Sequence, residues 1–279
     1  MSMLRIPRFR FNAVLGGLFL GLVVAMALLS LVWTPYPPMK VHFTALLKPP
    51  SAVHWFGTDK YGHDVLSGVM AGASISLGIA CLSVGFAVVL GTALGLLAGY
   101  LKGTADRVLM VVSDALLAFP GLLLALGVIV IVGRDHSVGA IVLALGLAYT
   151  PSVLRVVRGT VMSVREREYI EASRVIGNSE WKTMVKHVLP NCLAPIIVLA
   201  TSMLGWVILS ESSLSFLGLG APPEMASWGN MLAAARPYIE RAAWLGIAPG
   251  LCLAVTLLGI NLMGDAIRDR FDPRMEGQR

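Results

Sequence analysis

Six stretches of about twenty residues with almost no charge dominate this chain, and a stretch of that length and polarity is what a membrane-crossing helix requires. They are Ala13–Val32, Ile75–Leu101, Val108–Gly133, Val138–Leu154, Cys192–Leu209 and Ala242–Gly264. In lipid every backbone polar group must find its partner inside the segment, so these stretches predict helices rather than isolated strands. Only 14% of the 279 residues are charged, against about 25% in a soluble domain. The first stretch follows Arg5, Arg8 and Arg10, as a secretory signal does. Its apolar core exceeds the usual length of about 7–15 residues, and no clean A-x-A site follows that core before Pro35, so it is expected to remain as a helix.

Lys and Arg set the orientation. With the N-terminus in the cytoplasm, 16 of the 22 fall on the cytoplasmic side, from Arg5 through Lys102, Arg155 and Lys186 to Arg279. The other six are Lys40, Lys48, Lys60, Arg134, Arg236 and Arg241. This bias predicts both ends inside. It explains the net charge of +6 as sidedness; no basic run with interleaved aromatics suggests nucleic acid. The resulting map is a cytoplasmic N-terminus at 1–12, a first helix at 13–32, an extracytoplasmic loop at 33–74, a core at 75–266 and a cytoplasmic tail at 267–279. Cys81, Cys192 and Cys252 lie scattered in apolar runs and fit neither a metal motif nor a disulfide framework.

One segment breaks the apolar pattern. Between Arg165 and Lys186, nine of twenty-two residues are charged, which at roughly 2.5–3.5 kcal/mol per central charge forbids a span. A short helix over Arg165–Ile176 is expected to end at Gly177, with Asn178 and Ser179 able to cap the next one. Trp181, Met184, Val185, Val188 and Leu189 then form an apolar stripe on one face. Pro190 is expected to stop this second helix. The segment 163–190 therefore reads as a cytoplasmic helix–Gly–helix elbow, either a linker on the membrane surface or a docking knob for a soluble partner.

The elbow carries a motif. Glu171-Ala172-Ser173, Gly177 and Leu189-Pro190 resemble the EAA loop of bacterial ABC-importer permeases, with Ser173 and His187 as departures. His54-Trp55-Phe56-Gly57-Thr58-Asp59 and Gly62-His63-Asp64 are similar to the outer motif of the dipeptide/oligopeptide/nickel branch, with His63 in place of Arg. Ser213 through Gly220, Ser227-Trp228-Gly229-Asn230, Asn261 through Asp265, Arg268-Asp269 and Asp272-Pro273-Arg274 follow in that branch's order. The resemblance covers about Trp55 to Arg274 and implies a C-type permease of the bacterial inner membrane. It implies a homologous second permease, two ATPase subunits that bind ATP and Mg, and an extracytoplasmic substrate-binding protein. The substrate would be a dipeptide, an oligopeptide, glutathione, nickel or another small solute. The coupling residues would be Glu171, Ala172, Ser173, Gly177, Asn178, Leu189 and Pro190. Trp55, Asp59, Asp64, Trp228 and Asn230 would face the binding protein.

Two other classes compete. An ion-coupled transporter needs ionisable groups within the membrane, and Asp114 is the best placed, near the inner third of the third span. A snorkelling or hydrogen-bonded Asp near the cytoplasmic end accounts for it better. A membrane enzyme would need a motif such as H-E-x-x-H or G-x-S-x-G, and neither occurs. No Walker A pattern is present, so ATP hydrolysis is expected in partners rather than here. His54, Asp59, His63 and Asp64 could bind a metal by residue type, but their spacing is weak evidence, and no metal or cofactor is expected in this chain.

Overall fold

The computed structural model describes residues 8–132 and 138–271. Arg5, Gly133, Arg134, Asp272-Pro273-Arg274 and Arg279 lie outside them. The described chain is almost wholly helical. Five helices are long and apolar enough to cross a membrane: α1 (Arg8–Ser30), α2 (Val65–Leu101), α5 (Val138–Val164), α8 (Leu189–Phe216) with the turns before it, and α10 (Trp244–Phe271). The pair α3 (Gly103–Ala118) and α4 (Gly121–Val132) makes a sixth if taken as one broken span.

That break corrects the expectation of one continuous third span. α3 and α4 meet at 100°. Pro120 clashes with a helical residue before it, and Phe119 accordingly sits extended at φ −87°, ψ 137°. Pro151 and Pro249 stay inside continuous helices. α2 also starts ten residues before the expected Ile75. Asp64 caps it, accepting hydrogen bonds from the Ser67 backbone N–H at 2.9 Å and the Ser67 hydroxyl at 2.7 Å. The small apolar residues after Asp64 simply continue the helix.

The core is organised on the α2–α5 contact. Gly91, Gly95 and Gly99 recur every fourth residue and form a groove along α2. A Cβ on Gly91, Gly95 or Gly99 would lie 2.9, 2.7 or 2.9 Å from the carbonyl oxygens of Thr150, Leu154 and Arg158 on α5. Val153, Val157 and Val161, also four apart, fill this groove and are fully buried. The two backbones touch because glycine lets them, as small-xxx-small surfaces do in membranes. α1 meets α10 in the same way: a Cβ on Gly16 would come 2.9 Å from the Met263 backbone nitrogen.

At one end of the bundle, residues 31–64 fold back over the helix ends. Gly57 and Gly62 take left-handed φ of +75° and +79°, and a side chain on Gly62 would collide with the His42 carbonyl. Trp244 Nε1 donates to the Thr58 carbonyl at 3.3 Å, tying this layer to α10. α9 (Trp228–Ala235) lies in the same layer.

Candidate functional site

The charged segment forms two joined helices, α6 (Glu168–Val175) and α7 (Glu180–Thr183). Gly177 ends α6 at φ +87°. Its N–H donates to Arg174 O at 2.9 Å and that of Asn178 to Ser173 O at 3.2 Å, the paired bonds of a Schellman turn. Ser179 caps α7, accepting from the Lys182 N–H. Asn178, expected to share that capping, instead donates from Nδ2 to Ser173 Oγ at 3.0 Å. Ser173 Oγ also lies 3.1 Å from Thr183 Oγ1. The third EAA position is therefore buried and holds α6 to α7. It does not line a partner surface, as was expected beside Ala172.

Pro190 does not stop the helix. The chain runs helically from Glu180 to Phe216, and Met184–Val188 adopts a π turn in which the Leu189 N–H donates to Met184 O, five residues back. A proline lacks a donor and crowds the preceding turn, and the widened turn directly before Pro190 accommodates it. The π turn also changes the apolar stripe. Met184 and Val188 are buried, whereas Trp181 is 68% exposed and Val185 lies open. The expected single face is thus divided, because a π turn rotates what precedes it relative to an uninterrupted α-helix.

Tyr100, at the end of α2, anchors the elbow. Its hydroxyl donates to the Glu180 carboxylate and accepts from Arg174 Nη2 at 3.3 Å. The Arg174 guanidinium stands 5.5 Å from the Tyr100 ring centroid. The hydrogen bond to Tyr100, with the charge of Glu180 adding, holds the Arg174 guanidinium above its ordinary value. Arg165 Nη1 donates to the carbonyls of Tyr100 at 2.5 Å and Gly99 at 3.2 Å, covering the helix's electronegative end. Beneath lie Ile170, Met184 and Val188, all buried. The outer side presents Val175 at 87% and Ile176 at 80% exposure beside Trp181. Glu171, Ala172 and Gly177 are exposed on this knob. Glu171 has no side-chain hydrogen bond or ion pair among the described residues. An apolar patch rimmed by charge marks an interaction surface.

The opposite layer departs further from expectation. Trp55 is exposed, but Trp228 is fully buried and cannot present its ring to a binding protein. Its Nε1 donates to Val69 O at 3.0 Å, and its ring lies against Gly72, where a Cβ would come 2.7 Å from Trp228 Cδ1. Asp64 is buried as the α2 cap and lies 2.9 Å from His54 Nδ1. Asn230 Nδ2 donates to the carbonyls of Ala221, Pro222 and Met225 at 3.0 Å each, folding that loop. Asp59 Oδ1 accepts from the N–H groups of Tyr61 and His63, and Oδ2 pairs with His63 Nδ1 at 2.9 Å. His54 and His63 thus belong to separate pairs, and no group of three or more candidate metal ligands occurs among the described residues. Within this layer a cleft of about 120 Å³, lined by Met39, Tyr61, His63, Asn230 and Met231, opens between the folded-back segment and α9.

Asp114 pairs with Arg155 at 2.5 Å, both well exposed, so its charge is met inside the chain. The elbow anchors Tyr100, Arg165 and Arg174 escaped the sequence reading, because no local pattern joins residues 65 to 80 positions apart. The Gly91-x3-Gly95-x3-Gly99 spacing was a visible signal for the α2–α5 contact.

Residues 91–277, which include the whole elbow, match the family described as the binding-protein-dependent transport system inner membrane component. The chain belongs to that family. Over 261 residues it is 39% identical to a putative peptide transport system permease protein of Brucella suis, covering 93% of this chain and 87% of the relative. It is 39% identical to a glutathione transport system permease protein of Pectobacterium atrosepticum over 95% of this chain and 87% of the relative. A di/tripeptide transport system permease protein of Pseudomonas aeruginosa is 41% identical over 94% and 88%. The fold is similar to a chain of the MetNI methionine ABC transporter in inward-facing conformations, with TM-score 0.60 and 21% identity, over 73% of this chain and 95% of that one. The chain is thus a multi-pass inner-membrane permease of a binding-protein-dependent ABC importer, and the ion-coupled alternative is set aside. The family implies further permease, ATPase and binding-protein subunits.

Proposed function

We propose that this chain is one of two homologous permease subunits of an importer for short peptides, with its elbow seated on one of two ATPase subunits that bind ATP and Mg. The observation that carries this reading is the elbow itself. It is a knob with an open apolar face and a Glu171 that has no partner among the described residues, built onto a helical rod that continues to Phe216. The names of the relatives favour peptides: a dipeptide or tripeptide, or glutathione, itself a peptide, shares the backbone amide and terminal charges that one path could accommodate. Both termini and the elbow lie in the cytoplasm in this reading, and the layer bearing Trp55 faces the binding protein.

Reconstitution tests the partnership. Proteoliposomes with both permeases and the ATPases should take up peptide when ATP and the binding protein are supplied. A Trp55→Ala complex should assemble normally but respond less to the binding protein. Uptake by this chain alone under an ion gradient would overturn the proposal. Orientation is tested by single cysteines at Ser51 and Asn178 in a background lacking Cys81, Cys192 and Cys252. An impermeant thiol reagent outside the cell should label the first and not the second; the reverse pattern would refute the topology.

A further inference from the structure

A second polar cluster lies at the far end of the rod from the elbow. Glu211, on the penultimate turn of α8, is fully buried within this chain. A carboxyl group taken from water is costly unless hydrogen-bonded, and an ionisable group at such a place is a candidate functional residue. The partners of Glu211 are serines. Ser215 Oγ donates to Oε1 at 2.8 Å, while Ser76 of α2 and Ser212 donate to Oε2 in longer bonds of 3.5 Å. Two of these hydroxyls are themselves acceptors. The Trp228 N–H, opening α9, donates to Ser76 Oγ at 3.3 Å, and the Ala221 N–H donates to Ser215 Oγ at 3.3 Å. Each chain of donors runs inward from the backbone of the outer layer through a hydroxyl and ends on Glu211.

The cluster therefore needs an acceptor at its centre. It joins three parts of the fold: α8, α2 and the connection from α8 into α9. Packing allows little slack there, since a Cβ on Gly229 would come 2.6 Å from Ser215 Cβ and 2.9 Å from Ser212 O. The rod from Glu180 to Phe216 is 37 residues, about 55 Å at helical rise. The elbow grips one end and Glu211 fastens the other.

We propose that Glu211 is a positioning residue that couples the elbow to the layer bearing α9 and the cleft, so that movement of the rod reaches the binding-protein side. This rests on the elbow's docking to an ATPase. Loss of the central acceptor leaves the Ser76 and Ser215 hydroxyls without their acceptor and frees the outer layer from α8.

The test uses the full importer, with Glu211→Ala, Glu211→Gln and Ser76→Ala compared at equal amounts of assembled complex. The readout is the ratio of ATP hydrolysis with and without the cognate binding protein, loaded with the solute it carries when purified. Glu211→Ala should lower that ratio by about tenfold, a typical coupling between distant sites. Ser76→Ala should lower it less. Glu211→Gln, which keeps a carbonyl for Ser215, should recover most of it, a rescue that depends on the acceptor. Wild-type ratios in Glu211→Ala would overturn the inference while leaving the docking reading intact. Should Glu211→Ala fail to assemble, a wild-type ratio in Ser76→Ala would overturn it. A wild-type complex whose hydrolysis ignored the binding protein would overturn both readings.

Discussion

Gly95→Leu is expected to abolish the folded permease. The first atom of the new side chain would lie 2.7 Å from the Leu154 carbonyl and 2.8 Å from Val157 Cβ. Neither can yield cheaply, because one is backbone and the other is a fully buried branched side chain. The remaining three carbons have no space between helices already in contact, so α2 and α5 must separate along the groove. Overpacking costs about 1–3 kcal/mol when side chains can shift. Here the backbones must move, and Gly91 and Gly99 lose their close approach as well. Set against a total stability of about 5–15 kcal/mol, such a loss is enough to remove most native protein. Gly95→Ala should be milder in the same direction. Gly78→Leu on the same helix is the control, since a Cβ there meets nothing within 4 Å. The yield of monodisperse permease after detergent extraction, together with its melting temperature, measures the effect. A Gly95→Leu yield equal to that of Gly78→Leu would show that the helices do not touch at this groove.

The second large effect falls on the elbow and leaves the bundle folded. Gly177 has φ +87°, and a Cβ there would meet nothing within 4 Å, so a substitution acts through the backbone alone. A β-branched residue is a steric outlier in that conformation, and strained backbone of this kind costs on the order of 1–3 kcal/mol. Gly177→Val should therefore re-aim α7 relative to α6, whereas Gly177→Asn, a residue that tolerates the left-handed turn, should stay near wild type. Glu171→Lys leaves the elbow's own bonds untouched, because the side chain has no partner among the described residues. It reverses a charge at the proposed interface, where like charges can cost several kcal/mol, about 100-fold in affinity. Both Gly177→Val and Glu171→Lys should accumulate in the membrane at wild-type levels while losing ATPase association and transport. Co-purification of the ATPases and peptide uptake, measured at matched permease levels, decide it. Unchanged association and uptake in both would leave the elbow as a linker only.

The residues that could be interpreted from sequence are those whose role is local. Gly177 and Ser179 are legible because a left-handed turn and a helix cap depend on the residue itself and its near neighbours, and the structure puts both where the pattern placed them. The apolar stretches are legible for a similar reason: a span of lipid requires about twenty uncharged residues in a row. The branch motifs were visible too, but not what each member does. Trp228 and Asn230 read as outward-facing residues of an outer loop, yet the first is enclosed by α2 and the second folds the loop before it. Pro190 read as a stop, and a π turn let the helix continue; Pro120 broke its helix where Pro151 and Pro249 did not. Whether a proline bends, breaks or is absorbed depends on what packs around the freed carbonyls. The same holds for Ser76 and Glu211, which are 135 positions apart. Sequence by itself determined the apolar stretches, the turn at Gly177 with its cap at Ser179, and the charged elbow, because those follow from periodicity and backbone preference over a few residues. The tertiary structure alone decided which side chains are enclosed and which donors find an acceptor, because burial and hydrogen bonding are set by groups that approach only when distant helices pack.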